Sequence, residues 1–161
     1  MASYLPSLIV HHLLENDPTR HPPGRQSYNT VCVFADVSGF TALSEAMAKF
    51  GPEGAEHLKF HLNSYFGQMA KLIAAEGGDI FKFAGDAMIV LWPDVDDLQT
   101  RARRAGQCAL AIQSELHEAK FAEGVTLSVK IGIGVGRVSV LHLGGALGRM
   151  EYVAVGEPLV Q

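Results

Sequence analysis

The chain has 161 residues, the size of one domain. Its 13 Lys and Arg against 17 Asp and Glu give a net charge of −4 with no basic run, which excludes a polybasic nucleic-acid or membrane-surface binder. Hydrophobic residues make up 48% before the 17 glycines are counted and charged residues only 19%, a balance that excludes disorder and favours burial of some surface against a partner. No apolar run approaches the ~20 residues of a membrane helix. No basic segment precedes the short apolar stretch at the N-terminus, so no secretory signal is legible. Cys32 and Cys108 sit within apolar segments as reduced core thiols, and a soluble, cytoplasmic protein is expected.

Residues 1–28 read as a leader. Leu5, Leu8, Ile9, Leu13 and Leu14 form one apolar face of a short helix, and Asp17-Pro18 through His21-Pro22-Pro23-Gly24 breaks it. Val31–Ala35 is a short, continuous apolar run and predicts a strand buried on both faces. It ends at Asp36, before Ser38-Gly39. Phe40, Leu43, Ala46, Met47 and Phe50 then recur at helical spacing as far as Gly51. Pro52 opens a second helix whose apolar positions run from Ala55 to Ile73, and Gly77-Gly78 stops it. Asp79–Phe83 and Ala87–Trp92, joined by Ala84-Gly85-Asp86, predict a hairpin. Leu98, Ala102, Ala105, Ala109, Ile112 and Leu116 mark a third helix. Val125 to Val135 alternates strictly as a strand, and Val138–Leu143 with Arg149–Val155 predicts another hairpin around the glycine turn at 144–148.

The order β-α-α-β-β-α-β-β-β predicts an α+β, ferredoxin-like (palm-type) sandwich with a mostly antiparallel sheet, in one domain over residues 29–161. The last segment, Gly156 to Gln161, leaves its strand unclosed, so the C-terminal part of the domain is expected to be missing.

Two carboxylates stand at strand ends. Asp36 closes the first strand, and Asp86 sits in the turn between the next two. Each alone reads first as a cap or turn residue. Together on one rim they suit Mg²⁺, which takes oxygen ligands and keeps phosphate oxygens in its shell. Phe34-Ala35-Asp36-Val37-Ser38-Gly39-Phe40-Thr41 adds small residues and backbone N–H groups at a helix start, where an anionic phosphate is favoured. Phe81-Lys82-Phe83-Ala84-Gly85-Asp86 places a lysine four residues before the second aspartate.

These two segments resemble the metal-binding motifs of class III nucleotidyl cyclases, and Arg149-Met150-Glu151-Tyr152-Val153-Ala154-Val155-Gly156 resembles the family's later Arg-x-Glu-Tyr-x-x-x-Gly strand. The likeness spans residues 29–157. It is nearest the first catalytic half of bicarbonate-responsive soluble adenylyl cyclases, through Leu5–Val10, Gly77–Asp86 and Val129–Gly132. The resemblance implies that Asp36 and Asp86 ligate two divalent ions (Mg²⁺, with Mn²⁺ or Ca²⁺ as alternates). It implies further that the Val37 carbonyl completes one site and that the amides of Gly39, Phe40 and Thr41 hold the ATP triphosphate. Lys130 reaches a phosphate or is a solvated strand lysine. Lys82 reads the purine, lies in a second pocket that holds bicarbonate, or is a hairpin surface lysine.

One position departs from the family. Val160 stands where self-sufficient members carry a transition-state Asn, and valine donates no hydrogen bond. The reading is therefore the metal-bearing half of an adenylyl cyclase that converts ATP to cyclic AMP and pyrophosphate, needs a second cyclase domain and is inactive alone. The alternatives are a catalytically idle cyclase-like module for dimerisation or ligand sensing, and a guanylyl cyclase. Gly132-x-Gly134-x-Gly136 lacks dinucleotide spacing. His57 and His61 are read as solvent-facing rather than as zinc ligands.

Overall fold

The apolar run Val31–Ala35 is the centre of β1 (Gly24–Ser38), the middle strand of an antiparallel sheet. The computed structural model describes residues 6–10, 24–93, 96–121, 124–144 and 150–159. After β1 come α1 (Phe40–Ala48), α2 (Gly51–Ala75), β2 (Asp79–Ala84), β3 (Ala87–Trp92) and α3 (Leu98–Leu116). A two-residue β4 (Ala119–Lys120), β5 (Thr126–Gly144), β6 (Met150–Gly156) and a 3-10 turn (Glu157–Leu159) complete the described chain. The sheet order is β2-β3-β1-β5-β4, with β6 also on β5, and every pairing is antiparallel. Helices connect β1 to β2 and β3 to β4, giving the expected α+β fold.

Alternation along β1 sorts the core into two faces. Val31, Val33, Ala35 and Val37 point to the helices and pack with Leu43, Met69, Ile112 and Leu127. Cys32 points to the opposite, open face and packs with Ile9, Phe81, Leu91 and Val140. The strand is thus buried on both faces at Val31–Val33, as the continuous apolar run requires. Helix ends follow their local chemistry. Pro52 occupies the first turn of α2, and the Asp97 carboxylate accepts the Thr100 N–H at 3.0 Å to cap α3. Buried polar groups are paired across elements: the Tyr65 hydroxyl donates to the Leu116 carbonyl at 3.2 Å, and Arg101 Nη1 donates to the Asn29 carbonyl at 2.8 Å.

Three elements differ from the sequence reading. β1 extends back to Gly24, because residues 24–30 pair with 142–136 of β5, a partnership that their polar sequence does not announce. Val125–Val135 and Val138–Leu143 belong to one strand, β5, rather than two. Its apolar positions change face near Gly136: Leu127 and Val129 pack under the helices, whereas Val138 and Val140 are buried on the other side. The leader contributes one helical turn over residues 7–10 with Ile9 fully buried, while Leu5, Leu13 and Leu14 lie outside the described residues, as do residues 145–148 of the expected glycine turn.

Candidate active site

β1 changes character at its last residues. Ala35 and Val37 point into the helix-side core, and Asp36 between them points to the open face, half-buried, with Ala87 of β3 and Lys130 of β5 as its register partners. Asp86 follows Gly85 in the two-residue turn of the β2–β3 hairpin, where Gly85 takes the left-handed φ of 68°. The Val37 N–H donates to the Asp86 carbonyl at 3.4 Å, tying the end of β1 to that turn. That contact places both aspartates at one end of the sheet, with Asp36 half-buried and Asp86 exposed.

Beyond Ser38, Gly39 adopts φ 99°, and a Cβ there would stand 2.5 Å from the Thr126 carbonyl oxygen of β5. No residue but glycine fits both demands. Gly39 is also the N-cap of α1. It offers no capping side chain, and the first turn carries no acidic residue. The Phe40 and Thr41 amides consequently lie at the positive end of the helix without a side-chain cap.

Lys130 is exposed and directly opposite Asp36, outside ion-pair distance. Directly opposed residues have Cβ atoms ~4.5–5.5 Å apart, so its ammonium can swing over the same rim. Lys82 opposes Ile89 on the open face, the face that Asp36 also occupies. Ile89 in turn opposes Phe34, so at ~4.8 Å per strand step Lys82 stands about 10 Å across the sheet from β1, level with Phe34 and two residues short of Asp36. The structure groups Asp36, Val37, Gly39, Phe40, Thr41, Asp86 and Lys130 at one end and leaves Lys82 beside them.

Among the described residues no group of three or more His, Cys, Asp or Glu side chains gathers. Two carboxylates with a backbone carbonyl nearby fit a hard divalent ion that completes its shell with water and phosphate, and do not fit a zinc centre. The His pair on α2 is not wholly solvent-facing: His57 is exposed, but His61 is half-buried with its ring edge-on to Phe121 at 5.5 Å. Gly134 and Gly136 lie beneath Pro158, close packing rather than a phosphate loop. Burial pushes the thiols of Cys32 and Cys108 up to about 12 and about 11, so neither is a nucleophile near neutral pH. A cleft of about 350 Å³ lined by Arg25, Arg137 and Ser139 and one of about 280 Å³ between α1 and α2 both lie away from the aspartates. At the aspartates, Asp86 and Lys130 are exposed and Asp36 is half-buried.

A ferredoxin-like antiparallel sheet thus carries two aspartates and a helix N-terminus without a side-chain cap at one end. The chain belongs to the adenylate and guanylate cyclase catalytic domain family, which it matches over residues 24–154, from the first residue of β1. It is 35% identical over 160 residues to adenylate cyclase type 10 of Homo sapiens, across 98% of this chain and 10% of that protein. Among solved structures it is similar to the adenylyl cyclase CyaB from P. aeruginosa, with TM-score 0.67 and 29% identity over 84% of this chain and 69% of that one. It is also similar to the guanylyl cyclase Cya2, with TM-score 0.63 and 33% identity over 86% of this chain and 68% of that one. The chain spans about a tenth of the length of the type 10 cyclases that it matches. Among the described residues no helix is long and apolar enough to cross a membrane.

Proposed function

We propose that this domain is the metal-bearing half of an adenylyl cyclase, which converts ATP to cyclic AMP and pyrophosphate together with a second cyclase domain. The observation that carries the reading is the Val37–Asp86 backbone contact, which ties the end of β1 to the hairpin turn beside the uncapped start of α1. Asp36, Asp86 and the Val37 carbonyl would hold divalent ions, which when bound acidify the ribose 3′-hydroxyl and offset charge on the phosphates. The residues of this chain then divide the remaining work. The amides of Gly39, Phe40 and Thr41 orient the β- and γ-phosphates, and Lys130 draws a phosphate oxygen toward the rim. In that pose the 3′-oxygen forms its bond to the α-phosphorus as the bond to the pyrophosphate oxygen breaks in line. Lys82, off the carboxylate rim, addresses the purine or a small anion such as bicarbonate. The 33% identity to a guanylyl cyclase keeps GTP as the second substrate to test.

The test pairs this chain with a second cyclase domain and measures cyclic AMP and cyclic GMP from Mg²⁺- or Mn²⁺-supplied ATP and GTP. Asp36→Asn and Asp86→Asn should each lower turnover by roughly 10²-fold or more while the variants stay folded. Full turnover in either variant would remove the two-carboxylate site, and cyclic GMP as the sole product would reassign the substrate.

A further inference from the structure

We infer that the N-terminal turn over residues 6–10 positions Lys82 by holding a bulge at Phe81. β2 and β3 pair regularly at Asp79 with Leu91 and Ile80 with Val90, and then the register shifts so that Lys82 opposes Ile89. Phe81 is the inserted residue. Without the insertion Lys82 would oppose Met88, whose side chain lies in the helix-side core; with it, Lys82 moves to the face that carries Asp36. Regular pairing resumes at Phe83, which returns to the helix side, where its ring meets Phe66 edge-on at 6.1 Å. The face on which Lys82 stands thus depends on where Phe81 is kept.

Two fastenings keep it there, and both come from the N-terminal turn. One Asp79 carboxylate oxygen accepts the Ser7 hydroxyl at 2.9 Å and the Leu8 N–H at 3.2 Å, capping the turn from another element. The Pro6 carbonyl accepts the N–H groups of Ile9 and Val10 at 2.9 and 3.0 Å, which closes the turn. Ile9 is fully buried in one cluster with Phe81, Leu91, Cys32 and Val140. So the strand is anchored at Asp79, two residues before the bulge, and the bulged side chain is itself sealed under the turn. Among the described residues β2 is an edge strand paired with β3 alone, where register is least constrained by the rest of the sheet. The turn lies outside the residues 24–154 that match the cyclase family. The functional consequence rests on the proposed role of Lys82: Ile9 and Asp79 are positioning residues for whatever that ammonium meets.

Hydrogen exchange on the full chain tests the clamp directly. Ile9→Ala and Asp79→Ala should each speed exchange of the Phe81 and Lys82 amides about tenfold or more, with Val33 and Val90 unchanged. Ile9→Leu, which refills the cluster, and Asp79→Asn, which keeps an acceptor, should recover most of the protection. Unchanged β2 exchange in both alanine variants overturns the clamp. Equal acceleration in β1, β2 and β3 overturns it too, because the turn would then add only global stability. With a second cyclase domain present, Ile9→Ala should shift KM or the response to bicarbonate in the same direction as Lys82→Ala, with little change in kcat. Local loosening of β2 with no effect of Lys82→Ala on turnover supports the clamp and rejects the role given to Lys82.

Discussion

Gly39 is constrained more tightly than either aspartate beside it. Its φ of 99° and the approach of Thr126 leave no room for a Cβ, so Gly39→Ala should destabilise the protein by about 1–3 kcal/mol in chemical denaturation. A neutral result would mean that α1 can shift off β5 without loss. Asp36 makes the opposite kind of prediction. Asp36→Asn should leave the melting temperature of the free protein nearly unchanged and abolish the rise given by Mn²⁺ with ATP, a rise worth about 2.7 kcal/mol at a hundredfold excess over Kd. An undiminished rise in the variant would show that the nucleotide binds elsewhere. The aspartates were legible because carboxylates at the ends of apolar strands stand out locally. The necessity of Gly39 was not, because it depends on a carbonyl in a strand far along the chain.

The same thiols that are chemically quiet set a pH limit on the core. Burial raises the Cys32 pKa from 9.0 to about 12 and that of Cys108 from 9.0 to about 11, the latter with help from Glu76. A raised folded-state value means stability that is complete below the unfolded value and lost as pH climbs through the folded one. The melting temperature should therefore fall from about pH 9 upward, each thiol adding a slope of up to about 1.4 kcal/mol per pH unit. Cys32→Ala should flatten that fall while lowering the plateau, and a parallel decline in both proteins would place the alkaline transition in other groups.

At the scale of elements, what was local in sequence was legible. The three helices emerge from the 3.6-residue period, helped by Pro52 at the start of the second and by glycines beyond the ends of the first two. The β2–β3 hairpin emerges from Gly85-Asp86 between two apolar runs. What was non-local was hidden. Residues 24–28 have no strand signature of their own and are extended because β5 supplies their partners. β5 looked like two strands because the helices cover only its first half, so its apolar positions change sides. The Phe81 bulge exchanges one register for another and leaves no trace in hydropathy. Arg101 is the clearest case. Nothing in the helical apolar pattern singles it out, yet it is 4% exposed and donates to the Asn29 carbonyl of β1. Arg101→Leu should cost about 1.5–3 kcal/mol, the usual range for losing a charged donor to a buried carbonyl. A variant as stable as the parent would show that packing of the aliphatic stem, which leucine keeps, is what that position contributes.

For the whole molecule the proposed site depends on what covers the carboxylate end of the sheet. Asp86, Lys130 and Lys82 are exposed, and the two clefts described lie elsewhere on the surface. On the proposed reading the α1 terminus and the aspartates would grip a triphosphate there, leaving the ribose and base for a second domain to hold. Attack by the 3′-oxygen needs the ribose held within reach of the α-phosphorus, and donors prearranged for the transition state are worth roughly 10²–10³-fold each. Neither is supplied by the described residues on this face. Purified residues 1–161 should therefore bind nucleotide with metal yet release essentially no cyclic nucleotide, and adding a second cyclase domain should raise turnover by roughly 10²-fold or more. The size of the active species separates the two ways in which this could fail. Robust turnover by a monomer, lost in Asp86→Asn, would mean that the rim closes on its own. Turnover that rises with the square of the chain concentration would mean that a second copy of this chain provides the missing wall.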